Sequence, residues 1–147
     1  MPDIKNNCIV TIKSRQVMLG EEETSDIIVP GFKTVRNGKT YISYTVYYDE
    51  DRECKNKETV KILSSDTVEL IRHGFFNSKM LFKKGESCVC DYSSHMVHTM
   101  LTIDTLDVSV KESEGLTEIY LEYKIDMDTD AAISIFFTLT AENSGSL

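Results

Sequence analysis

The chain has 147 residues, in which 24 aspartate and glutamate residues outnumber 16 lysine and arginine residues and give a net charge of −8 at pH 7. This length suits one domain that buries about two-thirds of the surface of its unfolded form. The negative charge repels phosphate backbones and anionic membranes, so we expect neither nucleic acid nor a membrane as a partner.

The segment before the first predicted strand, residues 1–7, is polar. It contains no apolar stretch typical of a signal peptide or a membrane span, so we expect a cytoplasmic protein. A reducing compartment keeps thiols reduced. We therefore expect free thiols at all four cysteines, which are Cys8, Cys54, Cys88 and Cys90.

Alternating apolar and polar residues predict five β-strands in the first half of the chain. The predicted strands are 8–17, 25–36, 39–48, 57–63 and 67–72. The acidic residues 21–23 are predicted to form a turn, and Pro30 with Gly31 predicts a bend within a curved sheet. Asn37 and Gly38 tolerate the positive φ angles of a two-residue hairpin turn.

The second half of the chain continues the same pattern. The predicted strands are a run through Phe76 and Phe82, then 87–92, 98–110, 118–127 and 133–139. The alternation is clearest between Ile119 and Met127, and it changes phase near Asp104 and Thr105, which predicts a β-bulge. Residues 143–147 are predicted to be a frayed tail.

About ten sequential strands and no convincing helix indicate an all-β protein with a single domain, 1–147. Strands in this number form two packed sheets or one closed sheet, and closure removes the exposed edges that promote aggregation. We therefore predict a single antiparallel β-barrel of about eight to ten strands. The interior of such a barrel is filled by side chains or holds one small ligand.

A series of short motifs follows the predicted strands in a fixed order. The motifs are the Gly31-Phe32 bend, Lys39-x-Tyr41-Ile42-Ser43-Tyr44, Thr59-x-Lys61-Ile62, Leu70-x-Arg72-x-Gly74, Met80-x-Phe82-x-x-Gly85, Tyr92 and the final two strands. Over nearly the whole chain, this order resembles the YwiB-like family of small bacterial proteins. The resemblance implies a calycin-like, lipocalin-related β-barrel of unknown function, with no established substrate, cofactor or catalytic residue.

Arg72 is the first candidate site residue. It is in phase with Val68 and Leu70, so it faces the interior if they do, and a buried guanidinium needs partners. One interpretation is an anchor for a ligand carboxylate or phosphate. The other is a structural arginine near the barrel end that binds carbonyl groups or an internal acid and closes the floor.

Six further side chains on the expected inner face are candidates for ligand binding. They are Tyr44, Phe76, Met80, Phe82, Tyr123 and Phe137. Aromatic and sulfur-containing side chains suit a pocket for an apolar molecule, but they fill a small barrel equally well because protein interiors pack densely.

Cys88, Cys90, His95 and His98 carry atoms that can bind zinc, but their spacing matches no standard zinc module. A nucleophilic site would need a thiol beside a histidine held by a carboxylate, and nothing in the sequence shows that these groups converge. We therefore expect no metal site, no cofactor and no catalytic residue, and an enzyme or metal site that uses the region from Cys88 to His98 is the third and least favoured hypothesis.

The leading hypothesis is a non-enzymatic, cytoplasmic barrel that binds a small apolar or amphipathic ligand, with Arg72 at the polar head group. The alternative is a filled barrel that acts as a structural or interaction module and self-associates, for example as a homodimer. Tyr41 and Tyr47, on the face opposite Ile42 and Val46, would then supply aromatic contacts.

Overall fold

The computed structural model of the chain describes residues 6–48, 53–94, 96–126 and 132–144. These residues form ten β-strands, and they include no helix that is long and apolar enough to cross a bilayer. The strands are β1 (Cys8–Met18), β2 (Glu21–Arg36), β3 (Lys39–Tyr47), β4 (Lys55–Ser64), β5 (Thr67–Gly74), β6 (Asn77–Lys83), β7 (Ser87–Ser93), β8 (His98–Ser113), β9 (Leu116–Asp126) and β10 (Ala132–Asn143).

Each strand pairs antiparallel with the next strand in sequence, and β1 pairs with β10 to close a barrel of ten strands. The predicted all-β antiparallel barrel is therefore confirmed. In β9 the alternation in the sequence corresponds to the two faces of the sheet: Ile119, Leu121 and Tyr123 are buried, while Glu118 and Lys124 are exposed. Successive side chains of a strand point to opposite faces, so one face of each strand fills the barrel.

The predicted bend in β2 is present at Gly31. This residue pairs with Cys8 of β1 on one side and with Tyr44 of β3 on the other. A β-carbon at position 31 would lie 2.6 Å from Val10 Cγ2 and 3.0 Å from the Ser43 carbonyl oxygen, so only glycine fits. Gly31 thus lets β2 pass from one neighbouring strand to the other.

Two further local predictions are confirmed. Asn37 and Gly38 have φ angles of 53° and 77°, the conformation that a two-residue hairpin requires. The pairing of β8 with β9 shifts register between Thr105 and Asp107, where the change of phase predicts a bulge.

Two predictions about strand ends are wrong. Residues 21–23 belong to β2 rather than to a turn, and the turn lies at Leu19 and Gly20, which have φ angles of 52° and 81°. The three glutamates remain exposed in this hairpin, so their charges do not oppose strand pairing.

The second wrong prediction concerns the tail. Asn143 lies in β10, and the Ser144 N–H donates to the Asn7 carbonyl oxygen at 3.0 Å. Backbone hydrogen bonds therefore hold the polar residues Asn143 and Ser144, whose side chains are exposed. Residues 145–147 lie outside the described part of the chain.

The two ends of the barrel differ in packing. The closed end carries the β2–β3, β4–β5, β6–β7 and β8–β9 turns, and its inward side chains Val10, Val68, Phe82, Ile119 and Leu139 are each 0% exposed. The opposite end, which we call the mouth, carries the β1–β2, β5–β6 and β7–β8 connections. Several inward side chains towards the mouth are only partly buried, among them Ile27, Ile125 and Ile133.

Candidate functional site at the barrel mouth

Five residues with polar side chains form one continuous row across five strands near the mouth. In register, Tyr44 of β3 pairs with Glu58 of β4, Glu58 with Arg72 of β5, Arg72 with Ser78 of β6, and Ser78 with Tyr92 of β7. We call these residues the polar row. Directly paired residues of neighbouring strands point to the same face, so the whole row faces the interior.

The centre of the polar row is an ion pair. The Nε atom of Arg72 lies 3.3 Å from Oε2 of Glu58, and the two side chains are 26% and 6% exposed. The Tyr48 hydroxyl donates a hydrogen bond to Glu58 Oε2 at 3.0 Å, and the Asn56 amide donates to the Tyr48 hydroxyl at 3.3 Å. The Glu58 carboxylate is thus held by two neighbours, as a buried charge requires.

The Arg72 guanidinium retains hydrogen-bonding capacity beyond this pair. Its Nη1 atom contacts the Met80 sulfur at 3.9 Å, a weak acceptor. Burial lowers the pKa of Arg72, but the nearby Glu58 carboxylate and the tyrosines raise it by more, so the group stays charged. The Arg72 side chain is 26% exposed, so part of it remains accessible to water.

Three buried polar atoms in the polar row have unused hydrogen-bonding capacity among the described residues. Ser78 Oγ has no partner among those residues, while the Tyr44 hydroxyl and Arg72 Nε both lie beside the Glu58 carboxylate without a well-aligned hydrogen bond. Burial, followed by the charge of Glu58, raises the pKa of Tyr44, so this hydroxyl keeps its proton and can donate. A buried polar atom without a partner costs about 1–3 kcal/mol, so a ligand or water that accepts hydrogen bonds here is stabilising.

Aromatic rings pack above the polar row at the mouth. The ring centroid of Phe76 lies 4.7 Å from that of Phe75, 5.3 Å from that of Tyr48 and 5.6 Å from that of Tyr92. The Phe76 N–H donates to Asn56 Oδ1 at 2.9 Å, which ties this aromatic cluster to β4. Gly74 has a φ angle of 140°, and a β-carbon there would collide with the Lys55 carbonyl oxygen, so glycine is required before the cluster.

The facing wall of the mouth is aliphatic. Ile27 of β2, Ile125 of β9 and Ile133 of β10 pack against the core but keep some exposed surface. The polar row lies on β3 to β7, so the two kinds of surface occupy different parts of the barrel wall. The mouth therefore offers hydrogen-bond donors on one side and apolar surface on the other.

The structure places the sequence-predicted site residues at different depths. Arg72 and Tyr44 belong to the polar row, Met80 contacts Arg72, and Phe76 lies in the aromatic cluster. The Tyr123 ring packs 4.5 Å from the Phe82 ring, between centroids. Phe82 and Phe137 are 0% and 6% exposed and lie within the packed core. The predicted role of these side chains in ligand binding stays a prediction.

Sequence reasoning did not identify Glu58 and Asn56, which hold the centre of the site. The predicted fourth strand begins at residue 57, whereas β4 begins at Lys55. Both residues are in phase with Val60 and Ile62, which face the interior. Glu58 already lies within the predicted strand 57–63, two residues before Val60, so the period of two assigns this acid to the interior; only Asn56 requires the earlier start of the strand.

The cysteine and histidine residues considered for zinc do not converge in the described structure. Cys90 is buried inside the barrel, whereas His98 is exposed and lies 3.0 Å from Asp91 Oδ1 on the outer face. His95 lies outside the described residues, which contain no group of three or more potential metal ligands. Within the described part of the chain, Cys8, Cys88 and Cys90 form no disulfide bond, and burial with the nearby Asp91 charge raises the pKa of Cys90.

The buried Tyr123 predicts a loss of stability at alkaline pH. Burial raises the pKa of Tyr123 from 10.0 to about 12, while Arg72 lowers it by a smaller amount. Below pH 10 the hydroxyl is protonated in both states; above pH 10 the unfolded state ionises first, so stability falls as pH rises towards 12. We expect Tyr123 to account for a loss of up to about 2–3 kcal/mol.

Urea unfolding at pH 8.5 and pH 11 measures this effect. Tyr123→Phe should lose less stability between the two pH values than the unmodified chain. Tyr41→Phe, on the outer face of β3, should lose as much as the unmodified chain. Equal losses in all three proteins would contradict the assignment to Tyr123.

The fold and site define a closed ten-stranded antiparallel barrel with a buried ion pair at its mouth. The model of DUF1934, a domain of unknown function, matches residues 10–139, and the chain belongs to this family. The crystal structure of the ywiB protein from Bacillus subtilis is similar, with a TM-score of 0.84, 23% identity, and coverage of 95% of this chain and 93% of that chain. The predicted YwiB-like resemblance is thus confirmed.

A structural genomics protein of unknown function from Bacteroides ovatus gives a TM-score of 0.36 at 10% identity, covering 91% of this chain and 41% of that one. Comparison with the curated proteins finds no match. The comparisons therefore provide the family and the fold, and the functional argument depends on the mouth.

Proposed function

We propose that this domain is a non-enzymatic binder of a small amphipathic molecule, which enters the mouth of the barrel. Its polar head group contacts Arg72, and its apolar part lies along Ile27, Ile125 and Ile133. The observation that carries the proposal is the polar row, in which a charged and partly exposed arginine side chain lies beside the buried Ser78 hydroxyl group, which has no partner among the described residues.

The polar row favours a head group that accepts hydrogen bonds. Arg72 offers only donors, and the hydroxyl groups of Tyr44 and Ser78 can donate as well. The nearby acceptor, Glu58, is already engaged by Arg72 and Tyr48. A carboxylate or a phosphate ester fits this set of donors better than an ammonium group does.

The choice of probe tests the head group directly. Decanoate and 1-decanol share one alkyl chain, so the difference between them isolates the carboxylate. We expect decanoate to form a complex in native mass spectrometry and to raise the melting temperature, with an affinity about tenfold higher than that of 1-decanol because the carboxylate gains charge-assisted hydrogen bonds. Equal binding of both probes, or no binding of either, would remove the proposal.

Matched variants then test the position of the site. The double variant Glu58→Gln/Arg72→Met removes both charges together, so no buried ion remains alone. We expect it to lose the preference for decanoate. Arg15→Met removes a cation that stacks 4.3 Å above the Phe136 ring on the outer face, and it should retain the preference. A preference that survives in the double variant would place the head group elsewhere.

A further inference from the structure

A groove runs along the outer surface where β2 and β3 separate. The ladder between these strands ends at the Gly31–Tyr44 pair, although β2 continues along β1 and β3 continues along β4. The groove that opens there has a volume of about 810 Å³. Its described lining is Asn6, Ile28, Val29, Pro30, Phe32, Thr34, Arg36, Tyr41, Ser43, Tyr44, Thr45, Tyr47, Lys57 and Thr59. We call it the outer groove.

The walls of the outer groove carry exposed apolar and aromatic surface. Ile28 is 71% exposed and Tyr47 is 44% exposed, and the rings of Phe32 and Tyr41 are partly exposed beside them. The hydroxyl oxygens of Ser43 and Thr59 lie 3.4 Å apart between β3 and β4. Rings and hydroxyl groups in a concavity of this size are typical of sites for small molecules.

The charge of the outer groove is opposite to that of the protein. Its described lining contains two cations, Arg36 and Lys57, and no carboxylate, while the chain as a whole has a net charge of −8. Neither cation forms an ion pair with a carboxylate of the described residues, whereas Lys61 lies 3.8 Å from Glu69 on the same face. The two groove cations thus remain available for an anion.

We propose that the outer groove is a second binding site, which takes a small anionic molecule with a planar ring, of about the size of a mononucleotide. Tyr41, Tyr47 and Phe32 would contact the ring, and Arg36 and Lys57 would contact the anionic group. The groove volume lies within the range of about 300–1,000 Å³ for small-molecule sites. A polyanion such as single-stranded nucleic acid is disfavoured because the rest of the surface repels it.

The fluorescent probe 1-anilinonaphthalene-8-sulfonate carries an anionic group on an aromatic body, and N-phenyl-1-naphthylamine is its uncharged counterpart. We expect the folded chain to bind the sulfonate, and the variant Arg36→Gln/Lys57→Gln to bind it about tenfold more weakly. Affinity for the uncharged probe should change by less than about twofold, because its contacts are apolar. AMP should displace the sulfonate, whereas adenosine should not.

Two control variants define the site. Lys111→Gln/Lys124→Gln removes the same charge from β8 and β9, away from the groove, and should bind the sulfonate as the unmodified chain does. Glu58→Gln/Arg72→Met, at the mouth, should leave unchanged the part of the sulfonate binding that AMP displaces. Equal weakening by Arg36→Gln/Lys57→Gln and by Lys111→Gln/Lys124→Gln would overturn the proposal, as would loss of the AMP-displaceable binding only in the mouth variant. Light scattering that shows a dimer, with no sulfonate bound, would assign the groove to a second copy of the chain and likewise overturn it.

Discussion

Replacing Phe82 with alanine is expected to lower the free energy of unfolding by about 3–5 kcal/mol, because a fully packed aromatic ring is removed and its neighbours collapse only partly. Phe82 is 0% exposed, and its ring lies 4.5 Å from the Tyr123 ring between centroids. Urea unfolding followed by circular dichroism measures the loss. The result distinguishes a filled barrel from one that is hollow at this depth.

Phe76 provides the matched comparison for Phe82. It belongs to the aromatic cluster at the mouth and is only partly buried. Phe76→Ala should therefore cost about 1–2 kcal/mol, because less apolar surface leaves a buried environment. Decanoate binding should survive Phe82→Ala and weaken in Phe76→Ala. A cost below about 1.5 kcal/mol for Phe82→Ala, together with lost binding, would show that Phe82 lines a cavity instead.

The turns, the bend and the bulge of the barrel could be predicted from the sequence because each depends on local residue patterns. Asn37 and Gly38 adopt the positive φ angles that their residue types permit, and Gly31 lies at the bend that its missing side chain allows. The shift of register after Thr105 follows from a change of phase that is visible in the pattern. Each of these features depends on a few neighbouring residues, so no tertiary information is needed to find them.

Depth along the barrel axis could not be predicted in this way. Phe76 and Phe82 share one parity, yet the first lies at the mouth and the second at the closed end. Parity assigns a residue to the inner or outer face, whereas depth depends on the stagger between neighbouring strands, which pairing across the whole barrel determines. The same limit applies to the polar row, which becomes visible only when the registers of four strand pairs are known.

The sequence pattern does not predict the outer groove, because the groove also depends on pairing between strands. Tyr41 and Tyr47 were correctly placed on the outer face of β3, where both line the groove. The separation of β2 from β3, however, depends on the pairing of β2 with two neighbours: residues 21–31 pair with β1, and residues 31–36 pair with β3. The apolar and polar pattern of one strand does not show at which residue that strand leaves one neighbouring strand and pairs with another.

The variant Arg72→Met is expected to lose about 2–4 kcal/mol of stability, because it leaves the Glu58 carboxylate buried without its cation. The value lies slightly below the usual cost of breaking a fully buried pair, since the Arg72 side chain is 26% exposed and solvent screens part of the interaction. Glu58→Gln should cost less, about 1–2 kcal/mol, because the side chain of the arginine left behind is partly exposed to water.

The double variant Glu58→Gln/Arg72→Met is the decisive comparison. With both charges removed, the desolvation cost of the pair is removed as well, so we expect stability within about 1 kcal/mol of the unmodified chain. A double-mutant cycle from urea unfolding should then give a coupling energy of about 2 kcal/mol or more. Additive losses would mean that Arg72 and Glu58 act independently. A near-neutral double variant that no longer prefers decanoate would instead show that the ion pair is dispensable for folding and is retained for the ligand.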